Sequence, residues 1–313
     1  MKNITVMAKA KKETEIEDEI LSSMYINPLT DFGFKKLFLN KDLMIAFLND
    51  VVGASIKDIT YQPTEGLGEY KEERIAVFDL MCTTDKDEYF IVEMQLGRQT
   101  FFKDRVLFYA SHAIRKQAPK RKYWNYELKA VYIVSVLDFI TFPEDTASNE
   151  VIEHVHLYRE KANKHYSDKL NMIFVELPKF NKEAAELKTN SDIWLYLLKN
   201  TCRLKGSPKE ITGKIFKRFL ELAEIKQLTS TEMETYRESL RHNNFLRDMA
   251  SCERREGLTE GLTEGLLKGR MEGRMEGRME IAIRLLQKKM SIDDVVSLTD
   301  LTKEQVRELQ KNN

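Results

Sequence analysis

The apolar positions of this chain change period several times, and each change predicts an element. After Pro28-Leu29-Thr30-Asp31, apolar Phe34, Leu37 and Phe38 and then Leu43, Ile45, Phe47 and Leu48 fall at helical spacing. They predict two short amphipathic helices, or one broken near Asn40, capped by Thr30 or Asp31. Ile56, Ile59 and Tyr61 predict a short strand, and Pro63 to Tyr70, with Gly66 and Gly68, a loop. Two stronger strands, Ile75 to Thr83 and Tyr89 to Leu96, flank the turn-forming Thr84-Asp85-Lys86-Asp87-Glu88, so a hairpin is expected. Gln99 to Gln117 has helical spacing in Phe101, Phe102, Leu107, Phe108, Ala110, Ala113 and Ile114, and Pro119 closes it. Ala130 to Leu137 is a β-branched apolar run of the kind buried on both faces of a sheet. The order is α-β-β-β-α-β.

Beyond it, Val151 to Tyr158 and Leu170 to Leu177 read as strands, and Ser191 to Leu204, Pro208 to Ile225 and Thr231 to Ala250 as helices. Glycines then recur at 257, 261, 265, 269, 273 and 277, six tetrapeptide units in all. Glycine inside a helix costs about 1 kcal/mol relative to Ala, so the repeat either leaves the segment flexible or permits close helix contacts. On a helix the Arg270, Arg274, Arg278 column would lie nearly opposite the Glu272, Glu276, Glu280 column, so these signs meet only between molecules. A homo-oligomer built through this segment and a monomer with a flexible linker both fit. Three short helices follow, Ile281 to Lys289, Ile292 to Leu298 and Lys303 to Lys311, the last two started by Ser291-x-x-Asp294 and Thr302-x-x-Gln305. The expected division is 1–23, a polar leader; 24–250, the main domain with a helical second half; 251–280, the glycine repeat; and 281–313, a helix-turn-helix-like unit.

Composition narrows the function. Lys plus Arg and Asp plus Glu both number 50, so any DNA-binding surface must be a local patch rather than a field of the whole molecule. Cys82, Cys202 and Cys252 are far apart and form no Cys-x-x-Cys pair for zinc or redox chemistry. Met1 to Ile20 lacks the apolar core of a signal peptide, and no apolar run approaches the roughly 18 residues of a membrane span. A cytoplasmic protein with no membrane partner is expected.

The hairpin carries the candidate chemistry. If it turns about Lys86, Asp79 sits opposite Glu93, Val77 opposite Gln95 and Met81 opposite Ile91. Directly opposed carboxylates repel, so this pairing between apolar neighbours requires a compensating cation. Hard carboxylate oxygens suit Mg2+ or Mn2+. A one-residue bulge would instead separate the acids, and strand charges often simply face solvent.

Phe78-Asp79-Leu80 and Glu93-Met94-Gln95 resemble the hairpin of the Rpn family of recombination-promoting nucleases and transposases. The likeness runs from about Asn27 to Phe139. It includes Thr30-Asp31-x-x-Phe34-Lys35-x-Leu37-Phe38, Phe47-Leu48-Asn49, Phe102-x-x-Arg105-x-x-x-Tyr109 and Val131-Tyr132-Ile133-Val134. It implies an α/β fold with a PD-(D/E)XK restriction-endonuclease-like core, an α-β-β-β-α-β mixed sheet, and here a C-terminal helical extension. It further implies phosphodiester hydrolysis, with Asp79 and Glu93 holding Mg2+ (or Mn2+) and a water activated by the metal. The superfamily's lysine, two residues after the second acid, is replaced by Gln95. Its amide can position a water or a phosphate oxygen but carries no charge. By the same resemblance Asp31 adds a contact to the metal or to its surroundings; a plain helix N-cap is the alternative. Arg105 and Tyr109 share a helical stripe with Arg98, Phe102, His112 and Lys116 and either reach the scissile phosphate or lie over the sheet.

Arg115, Lys116, Lys120, Arg121 and Lys122, followed by Tyr123 and Trp124, form the densest basic segment and the expected DNA contact. A solvated loop whose aromatics return to the core is the alternative. His154 and His156 share a strand face, without an evident third metal ligand. From Glu280 to Asn313 six cations face six acids, which gives the C-terminal unit no basic footprint. Three functions therefore compete: a metal-dependent DNA endonuclease tied to recombination or mobile elements, a catalytically inactive binding module of the same fold, and a protein whose main role is assembly through the repeat.

Overall fold

The computed structural model describes residues 16, 18, 20, 22–63, 78–118, 123–143 and 149–311. Lys120, Arg121, Lys122, Val77 and most of the expected 63–70 loop lie outside them. The chain divides into two units, Met1–Asp248 and Met249–Asn313.

In the first unit the expected break near Asn40 is a boundary between two helices, α1 (Asp31–Phe38) and α2 (Lys41–Val52). Thr30, rather than Asp31, caps α1 by accepting from the Gly33 N–H, and Asn40 caps α2 by accepting from Leu43. Gly33 has to be glycine, because a Cβ there would stand 2.1 Å from the Asn27 carbonyl oxygen. The strands are β1 (Ile59–Tyr61), β2 (Leu80–Thr84), β3 (Tyr89–Gln95), β4 (Val131–Leu137), β5 (Ile152–Arg159) and β6 (Lys164–Glu176), with α3 (Phe102–Lys116) joining β3 to β4. They form one sheet in the order β1-β2-β3-β4-β6-β5. β3, β4 and β6 run parallel and the remaining pairs antiparallel, so the sheet is mixed.

Alternation along the strands sorts side chains to two faces. Leu80, Cys82, Phe90, Val92, Val134, Val136, Ile173 and Val175 point into the core built with α1, α2, α4 (Asn190–Asn200) and α5 (Lys214–Ala223). Met81, Ile91, Ile133, Leu137, Met172 and Phe174 point the other way, against Phe102, Val106, Tyr109, Ala110 and Ala113 of α3. Helices on both faces account for the continuous apolar run of β4. α5 starts only after Gly213, so Pro208 to Thr212 lie outside the helix expected there. β6 begins six residues before the apolar run that announced it, through the polar Lys164-His-Tyr-Ser-Asp-Lys169.

α6 (Ser230–Gln287) spans 58 residues, where separate helices were expected on either side of the repeat. Its first turns clasp α1: the Tyr236 hydroxyl accepts from the Asn27 N–H at 2.9 Å, Ser239 Oγ from the Phe32 N–H at 3.0 Å, and Glu232 pairs with Lys36 at 2.6 Å. Among the described residues no helix is long and apolar enough to cross a membrane.

In the second unit, Ala282 near the end of α6 packs with Val295 of α7 (Ile292–Thr299), with Leu301, and with Val306 of α8 (Lys303–Lys311). Ser291 caps α7, and Thr302 and Gln305 exchange the two bonds of a capping box. The helix expected at Ile281 is therefore the last stretch of α6. Arg, Met, Glu and Leu between the glycines are strong helix formers, and they carry the helix through the repeat. A Cβ added at Gly261, Gly265 or Gly269 would meet only open space. Replacing these three glycines by Ala is expected to raise helix stability by about 0.5 to 1 kcal/mol each. The check is the thermal midpoint of the helical circular-dichroism signal; a lowered midpoint would mean that a second chain rests against the glycines.

Candidate active site

The hairpin turn is closed by Thr84 N–H to Glu88 O at 2.9 Å, with Asp87 at a left-handed φ of 61°. This sets the register Leu80↔Val92, Met81↔Ile91, Cys82↔Phe90. One step further, at Asp79, the strand bends and side chains replace the ladder. The Asp79 N–H donates to Glu93 Oε1 at 3.0 Å, and the Met94 N–H donates to Asp79 Oδ2 at 2.7 Å. The two acids face each other as the Lys86-centred register requires, and each is held by the other's backbone segment.

Period two then places Glu93 and Gln95 on the face of Ile91, beneath α3. From α3, Arg105 reaches down: Nη2 donates to Glu93 Oε2 at 3.0 Å, Nη1 to Gln95 Oε1 at 2.8 Å and to Gln99 Oε1 at 3.1 Å, and Nε to the Tyr109 hydroxyl at 2.8 Å. These bonds engage four of the five guanidinium donors, which leaves one N–H rather than a bidentate pair for a phosphate oxygen. Gln95 Nε2 donates to the Leu96 carbonyl at 3.1 Å, so Arg105 holds the oxygen end of this amide. After β3 the chain turns at Gly97, whose φ of 72° suits glycine, and Asp138 Oδ1 accepts the Gly97 N–H at 2.7 Å.

Glu93 is 3% exposed. Burial, then the Asp79 charge, push its carboxyl from 4.5 up to about 8, against the opposing pull of Arg105. Asp79 is also raised, by burial first and by the charge of Asp31, while the Met94 N–H, Lys35 and Arg105 oppose the shift. Asp31 therefore lies within electrostatic reach of the acid pair, but its side chain is paired with Lys35 at 2.7 Å on the exposed side of α1.

Among the described residues no three His, Cys, Asp or Glu converge into a complete metal cage. Two carboxylates with raised pKa values fit a hard divalent ion of the kind that takes one or two acids and fills its other positions with water and phosphate. Ser135, paired with Glu93 across the sheet, strengthens that fit: its hydroxyl is buried without a hydrogen-bond partner among the described residues. The sequence signal for Ser135 was available, as the one polar residue inside Val131–Leu137. Gln99 and Asp138, which position Arg105 and the turn after β3, had no comparable signal.

Other expected residues lie elsewhere. Arg115 and Lys116 sit at the far end of α3, where Lys116 Nζ donates to Gln62 at 3.4 Å. Tyr123 is 96% exposed, which excludes its return to the core. His154 and His156 do share a face, and His165 of β6 stands 4.9 Å from His156 between ring centres.

The raised Glu93 carboxyl has a pH consequence. Between its ordinary 4.5 and about 8 the folded protein keeps a proton that the unfolded chain has lost. The group's stabilising contribution is thus complete below the lower value and lost as pH rises through the upper one. In EDTA, Glu93→Gln is expected to flatten the fall in melting temperature between pH 5 and 8; an unchanged slope would place the titration on another group.

No curated protein and no solved structure matches the chain. A family model does match, over residues 28–254, a span that contains the whole sheet, the acid pair and the Arg105 helix. With its six-stranded mixed sheet and flanking helices, the chain belongs to the PD-(D/E)XK nuclease family transposases.

Proposed function

We propose that this protein is a cytoplasmic Mg2+- or Mn2+-dependent DNA endonuclease acting in recombination or in the movement of mobile elements. The observation that carries the reading is the mutually anchored pair of half-buried Asp79 and buried Glu93 at the open end of the hairpin. Asp79 and Glu93 would hold the divalent ion, which supplies Lewis-acid charge for the phosphate and lowers the pKa of water. Gln95, its carbonyl oxygen fixed by Arg105, orients the attacking water without taking its proton. Arg105 offers its remaining N–H to the charge that develops on the phosphate. Asp31 acts from α1 through its field on Asp79. Arg115 and Lys116, with Lys120, Arg121 and Lys122, bind flanking DNA backbone. Exposed Leu258, Leu262 and Leu266 on the glycine-repeat helix provide the surface for a homo-oligomer.

A second reading, an inactive binding protein of the same fold, is favoured by one observation: Arg105 already pairs with Glu93 at 3.0 Å, where a metal would bind. Incubation with supercoiled plasmid separates the two. The wild type is expected to nick or linearise DNA with Mg2+ or Mn2+ and not with EDTA, and Asp79→Ala and Glu93→Ala to lower the rate by about 100-fold or more. Retained DNA binding with no cleavage under either metal would establish the binding protein instead.

A further inference from the structure

The outer stripe of α3 serves the acid pair only through Arg105, and the rest of its chemistry is unusual for a solvent face. Phe101, at the start of the helix and one turn from Arg105, is 73% exposed, and Phe108, one turn beyond Arg105, is 41% exposed. His112 follows, its ring 5.8 Å from that of Phe108, and then Arg115. At 100° per residue Phe101, Arg105, Phe108, His112 and Arg115 lie within one narrow stripe, in which rings alternate with arginines; Arg105 turns its guanidinium down to the acid pair and keeps one N–H for a strand lying along the stripe. Asp104 is the acid at its edge. Past the helix, Gln117 clamps the Lys129 backbone with both ends of its amide, at 2.8 and 3.3 Å, and so ties the next loop to the end of α3. That loop presents Tyr126, 79% exposed and at a left-handed φ of 61°, beside Trp124, with ring centres 5.0 Å apart.

Exposed aromatics cost solvation, and a left-handed tyrosine costs backbone strain. A protein-docking patch would gather its apolar groups into one area. Here they are spaced out and interleaved with cations, the arrangement that stacks successive bases while pairing their phosphates. We propose that the stripe from Phe101 to Arg115, continued by Trp124 and Tyr126, is a track for one unpaired nucleic-acid strand leading to the acid pair. The proposal rests on the nuclease reading for what happens at the end of the track, but not for the binding itself. From Phe101 to Arg115 the rise is roughly 21 Å, the length of about six nucleotides stacked at 3.4 Å. The substrate class is thus DNA with a single-stranded or opened segment beside the scissile bond.

The test is equilibrium binding in EDTA of fluorescent 12-nucleotide oligo(dT) and of a 12-base-pair duplex to the full chain, followed by anisotropy and by tryptophan emission. Trp194 is fully buried, so quenching by the oligonucleotide reports on Trp124. The single strand is expected to bind more tightly than the duplex and to quench that emission. Phe101→Ala, Phe108→Ala and Tyr126→Ala are each expected to weaken single-strand binding by about ten-fold while leaving duplex binding nearly unchanged. Being exposed, these side chains can be removed without opening the core, and circular dichroism verifies the fold. Equal affinity for both DNAs, indifference to all three substitutions, or substitutions that alter only the oligomeric state would overturn the proposal. If binding follows the expectation while no metal supports cleavage, the track stands and the nuclease reading fails. Metal-dependent cleavage by a protein indifferent to the substitutions gives the reverse.

Discussion

Two carboxylates must be held side by side within apolar surroundings, and the rest of the site is organised around meeting that cost. In water such a pair would separate or take up a proton. Here each acid accepts a backbone N–H from the segment carrying the other, so they cannot part without undoing the end of the hairpin. Burial, more than their mutual repulsion, keeps both carboxyls hard to ionise, and neutral backbone donors do not offset it. A positive charge must come from outside the hairpin, and α3 supplies one through Arg105. The crossover helix thereby couples the packing of one sheet face to the charge state of the site.

That coupling also explains why glutamine is tolerable where the superfamily has lysine. A lysine at position 95 would place a second cation against Arg105. The neutral amide instead accepts from the guanidinium through its oxygen and donates to Leu96 through its nitrogen. Gln95 and Arg105 together thus put one positive charge near the acids, on a group that cannot lose its proton at physiological pH.

Much of this was legible in the sequence. The turn at Thr84–Glu88 and period-two alternation were enough to place Asp79 against Glu93, because turn geometry fixes a hairpin's register. The apolar run of β4 announced a strand covered on both faces. The i,i+4 spacing of Arg105 and Tyr109 was legible, but the bonds of Arg105 to Glu93 and Gln95 were not, because how α3 docks on the end of β3 is encoded by no local pattern. The early start of β6 was hidden because its first residues lie beyond the core, so burial imposes no pattern on them. The helical glycine repeat was ambiguous for an energetic reason: its unfavourable glycines and favourable neighbours are of similar weight.

The clasp of α6 on α1 also bears on the order in which the chain is made. Asn27 and Phe32, at the entrance to the first helix, wait for Tyr236 and Ser239 to satisfy their N–H groups. At about 5 to 20 residues per second of synthesis, some ten to forty seconds separate the appearance of these two segments. For more than half of that interval, once Arg105 has been made, the acid pair and its arginine are present in the nascent polypeptide while the helix bearing Asp31 lacks its clasp. The site therefore reaches its finished form only after synthesis has passed Ser239.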